Sequence, residues 1–321
     1  MNGLIRVAVI FAAFASAGYA QQNAELHVLH VQGSVYMLVT PDGNIGVQVS
    51  NDGVLMVDTG TARTTDQVLA AVKQLAKPLT NKPLRFIVNT DFHPDHTGGN
   101  EKARAMGKTI TGGNVAGNIS DAAEGAAIYA HENVMKRMSA PSGAQAPTPT
   151  GAWPTDTYFG DAKELFFNGE ALQLFHPKSA HTDADSIVFF RRSDVVLTGD
   201  IFTTTTYPVI DLQNGGSLNG VVDALNFILD VTIPAEKQEG GTMVIPGHGR
   251  LCDEADVVEY RDMVTIIRDR IQDMIKKGMS LDQVKAAKPT RDYDPLYGST
   301  TGSWTTEMFV EAAYKSLSGK K

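Results

Sequence analysis

The chain has 321 residues, 28 basic and 36 acidic side chains, and 42% hydrophobic residues, enough to bury one large core or two small ones and incompatible with disorder or a collagen-like repeat. A formal charge of −8 argues against gripping phosphate backbones, which takes clustered Lys and Arg, so nucleic acid is not an expected partner. One cysteine, Cys252, excludes an internal disulfide and any cysteine-based zinc or redox site.

Residues 1–20 read as a cleaved secretory signal. Arg6 is their only charge, residues 7–17 are apolar apart from Ser16, and Gly18-Tyr19-Ala20 offers small residues at the positions a signal peptidase inspects. That apolar stretch is far short of the roughly 20 residues that span a bilayer, and no later segment is longer. The expectation is a secreted or periplasmic protein without membrane insertion.

Strands are predicted over 28–39 with a break at Gly33, over 45–49 and over 54–57, where Asn51-Asp52-Gly53 marks a hairpin. Val68, Leu69, Val72 and Leu75 give a helix over 64–75, followed by a short strand over 84–88 and a further helix after Gly98-Gly99. Residues 120–138 read as a helix, and 140–154, rich in proline, as a long surface loop. Strands return over 164–167, 172–175, 187–190 and 195–197, then a helix over 220–229 and a strand over 243–245. The second half therefore repeats the plan of the first. A helix over 256–277 stopped by Gly278, a short helix opened by a Ser280/Gln283 capping box, and a final helix over 305–317 complete the chain. No linker divides it, so residues 21–255 are expected to form one domain on which a helical extension, 256–321, packs.

The chemistry concentrates in Thr90-Asp91-Phe92-His93-Pro94-Asp95-His96-Thr97-Gly98-Gly99. Two imidazoles and two carboxylates on one loop after an apolar strand place several metal-competent atoms in a small volume. His181 before the strand at 187–190, Asp200 after the strand at 195–197, and His248 between two glycines share that topology. Ligands from several strand ends can converge on one edge, and glycine lets backbone approach them. Asp58-Thr59-Gly60 after an apolar run also suits an aspartic protease, but the second such triplet that a two-lobed protease needs is missing from the sequence.

The order His93-Pro94-Asp95-His96, His181-Thr182, Gly199-Asp200, Gly247-His248-Gly249, with Asp58 after an earlier strand, resembles the metallo-β-lactamase superfamily of binuclear metal hydrolases over about residues 28–251. The resemblance implies an α/β fold, a four-layer αββα sandwich with two divalent metal ions, zinc foremost and manganese or iron as alternatives, at one edge. Carried over, it implies that His93 and His181 hold the first metal, Asp95, His96 and His248 the second, and that Asp200 bridges them. It also implies hydrolysis of a small-molecule amide or ester, of β-lactam or lactone type, by metal-bound hydroxide that Asp95 orients. Asp58 would brace the loops by hydrogen bonds.

This chain departs from the family at Asp91, where the motif's first position is normally histidine. Aspartate coordinates through oxygen and shifts the first site toward harder cations. With Asp91, Asp95 and Asp200 ionised, three negative charges face four positive ones, and a bound hydroxide makes the site neutral, so anionic substrates are polarised less strongly. Two alternatives remain: a di-metal redox protein of the same fold, and a degenerate metal binder with little activity. The loop at 140–154 with Trp153, and residues 202–207, are expected pocket walls. His27 and His30 read as surface residues, His131 as solvent-facing, His176 as a turn residue and Cys252 as a packed thiol.

Overall fold

The computed structural model describes residues 26–109, 125–139 and 148–319. The expected signal at 1–20 lies outside them, as do residues 140–147 of the expected loop and 120–124 of the expected helix.

Apolar runs cut by turn residues build β1 (His27–Gln32), β2 (Val35–Thr40), β3 (Gly43–Ser50) and β4 (Gly53–Val57), which pair antiparallel in order. At the β3–β4 hairpin Gly53 has φ 136°, and a Cβ there would lie 2.6 Å from the Pro83 carbonyl, so only glycine fits. Helix α1 (Thr65–Ala76) carries the chain back, and β5 (Leu84–Val88) therefore lies parallel to β4. After α2 (Pro94–Thr97) and α3 (Asn100–Met106), strand β6 (Ala127–His131), helix α4 (Glu132–Ser139) and strand β7 (Asp156–Tyr158) follow. Strands β1 to β7 form one sheet in sequence order.

The plan then repeats. β8 (Ala162–Phe167), β9 (Glu170–Phe175), β10 (Ile187–Phe190) and β11 (Val195–Leu197) form an antiparallel meander, α5 (Leu218–Val231) crosses over, and β12 (Met243–Ile245) joins parallel to β11. Outside this second sheet lie α6 (Glu254–Lys276), α7 (Leu281–Ala287), α8 (Asp294–Tyr297) and α9 (Thr306–Ser318). Asp253 with Asp256, and Ser280 with Gln283, form reciprocal capping boxes that start α6 and α7.

Alternation along single strands shows how the layers stack. On β4, Leu55 and Val57 face the second sheet among Leu174, Val188 and Phe190, whereas Val54 and Met56 pack with Val68 and Val72 of α1. On β11, Val195 and Leu197 point inward, and Val196 packs with Leu225 of α5, Ile267 of α6 and Phe309 of α9. Burial on both faces is why these runs are wholly apolar. The result is the expected αββα sandwich with a C-terminal helical region on its outer layer. Among the described residues, no helix is long and apolar enough to cross a membrane.

Two sequence expectations need correction here. Residues 127–131 are a strand, not part of a helix: alanine-rich Ala126–Ala130 favours helix by propensity, but Ala127, Ile128 and Ala130 are buried between β5 and β7, and that burial decides. His131 consequently does not face solvent; it is buried at the end of β6 and stacks on His176, with ring centroids 3.5 Å apart.

Candidate metal centre

The candidate residues sit where strands end. β4 delivers Asp58, β5 delivers residues 89–96, β11 delivers Asp200 and β12 delivers His248. Because β10 runs antiparallel to β11, the loop before it brings His181 to the same edge. Backbone bonds fasten these loops together: Ser186 donates to the Thr90 carbonyl at 2.7 Å, and Gly247 to the Gly199 carbonyl at 3.0 Å. A Cβ at Gly247 would collide with the Asp200 carboxylate, so the His248 loop comes this close only with glycine there.

Side chains far apart in sequence meet in two adjoining groups, each able to hold a cation: Asp91, His93 and His181, and Asp95, His96, Asp200 and His248, with ligand atoms within 4.8 Å of one another in each group. In the first, His181 Nε2 lies 3.1 Å from His93 Nδ1 and 3.6 Å from Asp91 Oδ2. In the second, Asp200 Oδ1 lies 3.3 Å from His96 Nε2 and 3.2 Å from His248 Nε2, and Asp95 Oδ2 lies 3.4 Å from His248 Nε2. Asp200 Oδ2 is 3.9 Å from His181 Nε2, so its carboxylate stands between the groups.

Three inward atoms, Asp91 Oδ2, His96 Nε2 and Asp200 Oδ1, are buried without a hydrogen bond. Each such orphan costs about 1–3 kcal/mol, which cation coordination would offset. Imidazoles and carboxylates without thiolate suit zinc, manganese or iron. The donor set therefore fits a pair of divalent ions.

Outward bonds fix which nitrogen each imidazole presents. Asp58, in left-handed backbone at φ 64°, accepts from Thr90 N and Oγ1 and pairs at 2.8 Å with His96 Nδ1, leaving Nε2 inward. The Val209 carbonyl accepts from His181 Nδ1 at 2.8 Å, and Asp211 Oδ2 lies 3.2 Å from His93 Nε2. Asp211 also accepts from the Gln213 and Asn214 amides through Oδ1, and its own amide donates to the His181 carbonyl. Segment 209–214 thus clasps both histidines of the first group.

Charge follows this geometry. Burial opposes protonation of His93, but Asp211 and Asp91 outweigh it and hold the imidazole at about 10. Asp200 and Asp95 do the same for His248, also at about 10 against its burial. Burial would raise Asp91, yet His96 and His93 hold it at about 2. The anionic carboxylates demand nearby positive charge, which protons or bound cations supply.

The metal edge opens into a cleft of about 410 Å3 lined by Thr203, Thr205, Thr206, Ser303 and Trp304 beside Asp95 and His248. Of the expected walls, Thr203, Thr205 and Thr206 line it, while Phe202 packs edge-on to Tyr260 and Tyr207 stacks on Phe309. Trp153 is not a wall: it packs among Ala130, Val134 and Ala184, its indole donating to the Thr148 carbonyl. The wall tryptophan is Trp304, from the C-terminal region. A larger cavity of about 570 Å3 between β9 and α5 shares no residue with the centre. Sequence reading missed Asp211, Trp304 and Asp185, a buried carboxylate accepting from Thr182 N at 2.9 Å and steadying the His181 loop. Only Asp185 has a local signal, its three-residue spacing from Thr182.

Fold and centre together define a metal-dependent hydrolase, and the sequence profile of the metallo-beta-lactamase superfamily matches residues 39–248. The chain belongs to that superfamily. A linear primary-alkylsulfatase from Pseudomonas sp. (strain ATCC 19151) is 24% identical over 261 residues, 73% of this chain and 47% of the relative. Among solved structures, the stereoselective inverting sec-alkylsulfatase Pisa1 from Pseudomonas sp. superposes with a TM-score of 0.64 at 15% identity, covering 93% of this chain and 51% of the other. The DIM-1 metallo-beta-lactamase gives 0.53 at 16% identity over 75% of this chain and 97% of its own. The chain spans about half the length of these alkylsulfatases.

Proposed function

We propose that the protein is a secreted or periplasmic two-metal hydrolase, zinc-loaded, whose substrates are neutral carboxylic esters or lactones. Asp91, His93 and His181 hold the first cation, Asp95, His96 and His248 the second, and Asp200 lies between them. The observation that carries the substrate class is that, among the described residues, no lysine or arginine lines the cleft. In the two hollows that adjoin it the lysine and arginine side chains are Lys315 and Arg250: Arg250 pairs with Asp256, and Lys315 shares Glu311 with Lys285. With three carboxylates against two divalent ions, the centre itself offers little net charge to an anion. A carbonyl needs no such charge to bind.

Bound at this edge, the ions would acidify a water and polarise the substrate carbonyl. Asp95 Oδ2, at the cleft face, holds and accepts the proton of the attacking water. Asp58 and Asp211 fix the His96 and His93 rings by their outward bonds. Thr206 and Ser303 offer hydroxyl donors to neutral oxygens of the substrate, while the Thr203 and Thr205 hydroxyls bond each other.

Sulfate-ester hydrolysis is the second reading, favoured by the likeness to alkylsulfatases. The deciding measurement is kcat/KM of zinc-, manganese- and iron-loaded protein on p-nitrophenyl acetate, a γ-lactone, p-nitrophenyl sulfate and a chromogenic cephalosporin. Neutral esters should exceed the sulfate by at least about 100-fold, some 2.7 kcal/mol in the barrier. A faster sulfate ester would overturn the proposal, and oxygen consumption by iron-loaded protein would point instead to redox chemistry.

A further inference from the structure

The metal edge opens on a second side as well. A hollow of about 440 Å3 shares His93, His181, Val209 and Trp304 with the polar cleft and then runs along α9. Its remaining wall is mixed: Leu212 from the segment that clasps the histidines, and Met308 and Ala312 from α9, are apolar, beside the polar Asp211, Gln213, Glu311 and Lys315. Hydroxyls line one side of the centre and aliphatic groups part of the other, with the Trp304 indole bordering both. At the far end Glu311 is held by Lys285 at 2.7 Å and Lys315 at 2.9 Å, so the hollow ends in an ion-paired cluster of two lysines and one carboxylate. Met308 is 43% exposed, a large apolar side chain left at the mouth of an open hollow, and methionine is the side chain that adapts best to variable apolar shapes.

We propose that this hollow is the subsite for an apolar arm of the substrate. The substrate class is then a neutral ester or lactone with an alkyl or aryl substituent on one side of the scissile bond and a small or polar group on the other. Continuity carries the assignment, because a group bound between Leu212 and Met308 extends directly from a carbonyl held beside His93 and His181. The inference rests on the hydrolase reading above, and the experiment separates the two.

Kinetics on p-nitrophenyl acetate, butyrate and hexanoate give the first readout. Each methylene buried in an apolar subsite adds about 0.8 kcal/mol, so kcat/KM should rise about fourfold per methylene until the hollow fills. Met308→Lys puts a charge among the aliphatic groups at a site exposed enough to tolerate it, and should lower the hexanoate-to-acetate ratio at least tenfold; Met308→Leu should keep the ratio. A second readout does not use turnover. The chain has two tryptophans, so in Trp153→Phe protein the only indole is Trp304, and titration with 2-octanone, an apolar ketone without a hydrolysable bond, should shift its emission. Met308→Lys should weaken that binding about tenfold.

If no ester is cleaved by metal-loaded protein, the hydrolase reading fails. Acetate cleaved with no gain toward hexanoate, or a chain-length gain and ketone binding that Met308→Lys leaves intact, overturns the subsite alone.

Discussion

Replacing Asp211 with asparagine tests whether a side chain that the metals would not touch sets how tightly the first one is held. Asp211 divides its two oxygens: Oδ1 accepts from the amides of Gln213 and Asn214, and Oδ2 accepts from the Asn214 side chain and His93. An amide has one acceptor where the carboxylate has two. Asparagine serves as well as aspartate in capping the short turn at Leu212–Asn214, so its oxygen stays there and its NH2 group faces the His93 Nε2–H, donor against donor. The ring loses the bond that presents Nδ1 inward, and losing such a partner costs 10- to 100-fold in metal affinity, about 1.4–2.7 kcal/mol. The assay is metal stoichiometry by mass spectrometry across a chelator titration, alongside a thermal melt of the metal-free protein. Asp211→Asn should release one of two metals at about 10- to 100-fold lower chelator while the apo melting temperature falls only modestly, by the loss of the one partly exposed Asp211–His93 pair. Two metals held as in wild type would refute the positioning argument, and equal loss of both metals with a large fall in the apo melt would reduce Asp211 to a structural role.

Other consequences can be checked separately. Asp91→His removes one negative charge from the centre and supplies an imidazole nitrogen, the better zinc ligand, so it should tighten the first zinc and raise the rate on sulfate relative to neutral esters; equal stoichiometry and equal activity would remove both arguments. Gly247→Ala pushes a methyl into Asp200 and should lower metal content and activity together, read by the same stoichiometry assay. Glu170, buried where the two sheets meet, accepts from Gln48, the Arg192 and Ser193 amides and the Ser193 hydroxyl; Glu170→Ala leaves these donors unmet and should cost about 3 kcal/mol in urea unfolding. His131 is held down at about 4 by burial and then by His176. A depressed histidine pKa means that the unfolded chain takes the proton first, so this stability is complete above about 6.5 and is lost as pH falls toward 4. His131→Phe should flatten the melting temperature across that window, and an unchanged acid slope would exclude His131 as its source.

What the sequence disclosed was local. Asp91, His93, Asp95 and His96 occupy one loop, and His181, Asp200 and His248 each adjoin a short apolar strand, so strand ends and ligand types could be read together. Asp211 escaped because its partner His93 is 118 residues away and nothing beside it hints at that pairing. Trp304 escaped because the C-terminal region, read as a helical extension packed on the domain, also reaches the cleft, whereas Trp153, inside the presumed wall loop, fills a space under α4. The strand at 127–131 was misread because alanine content speaks for a helix and only its neighbours β5 and β7 supply the opposing argument. The αββα layering followed from the resemblance to the superfamily, and the unbroken apolar runs of β4 and β11 are what burial on two faces leaves in the sequence.

Segment 209–214 has one side on the histidines of the first group, through the Val209 carbonyl and Asp211, and the other on the apolar hollow, through Leu212. Selectivity and metal retention therefore share a hinge. Laboratory selection for bulkier esters that trims Leu212 should return variants needing supplemented zinc, and second mutations that restore metal uptake should arise around Asp211 and Asn214 rather than among the ligands themselves.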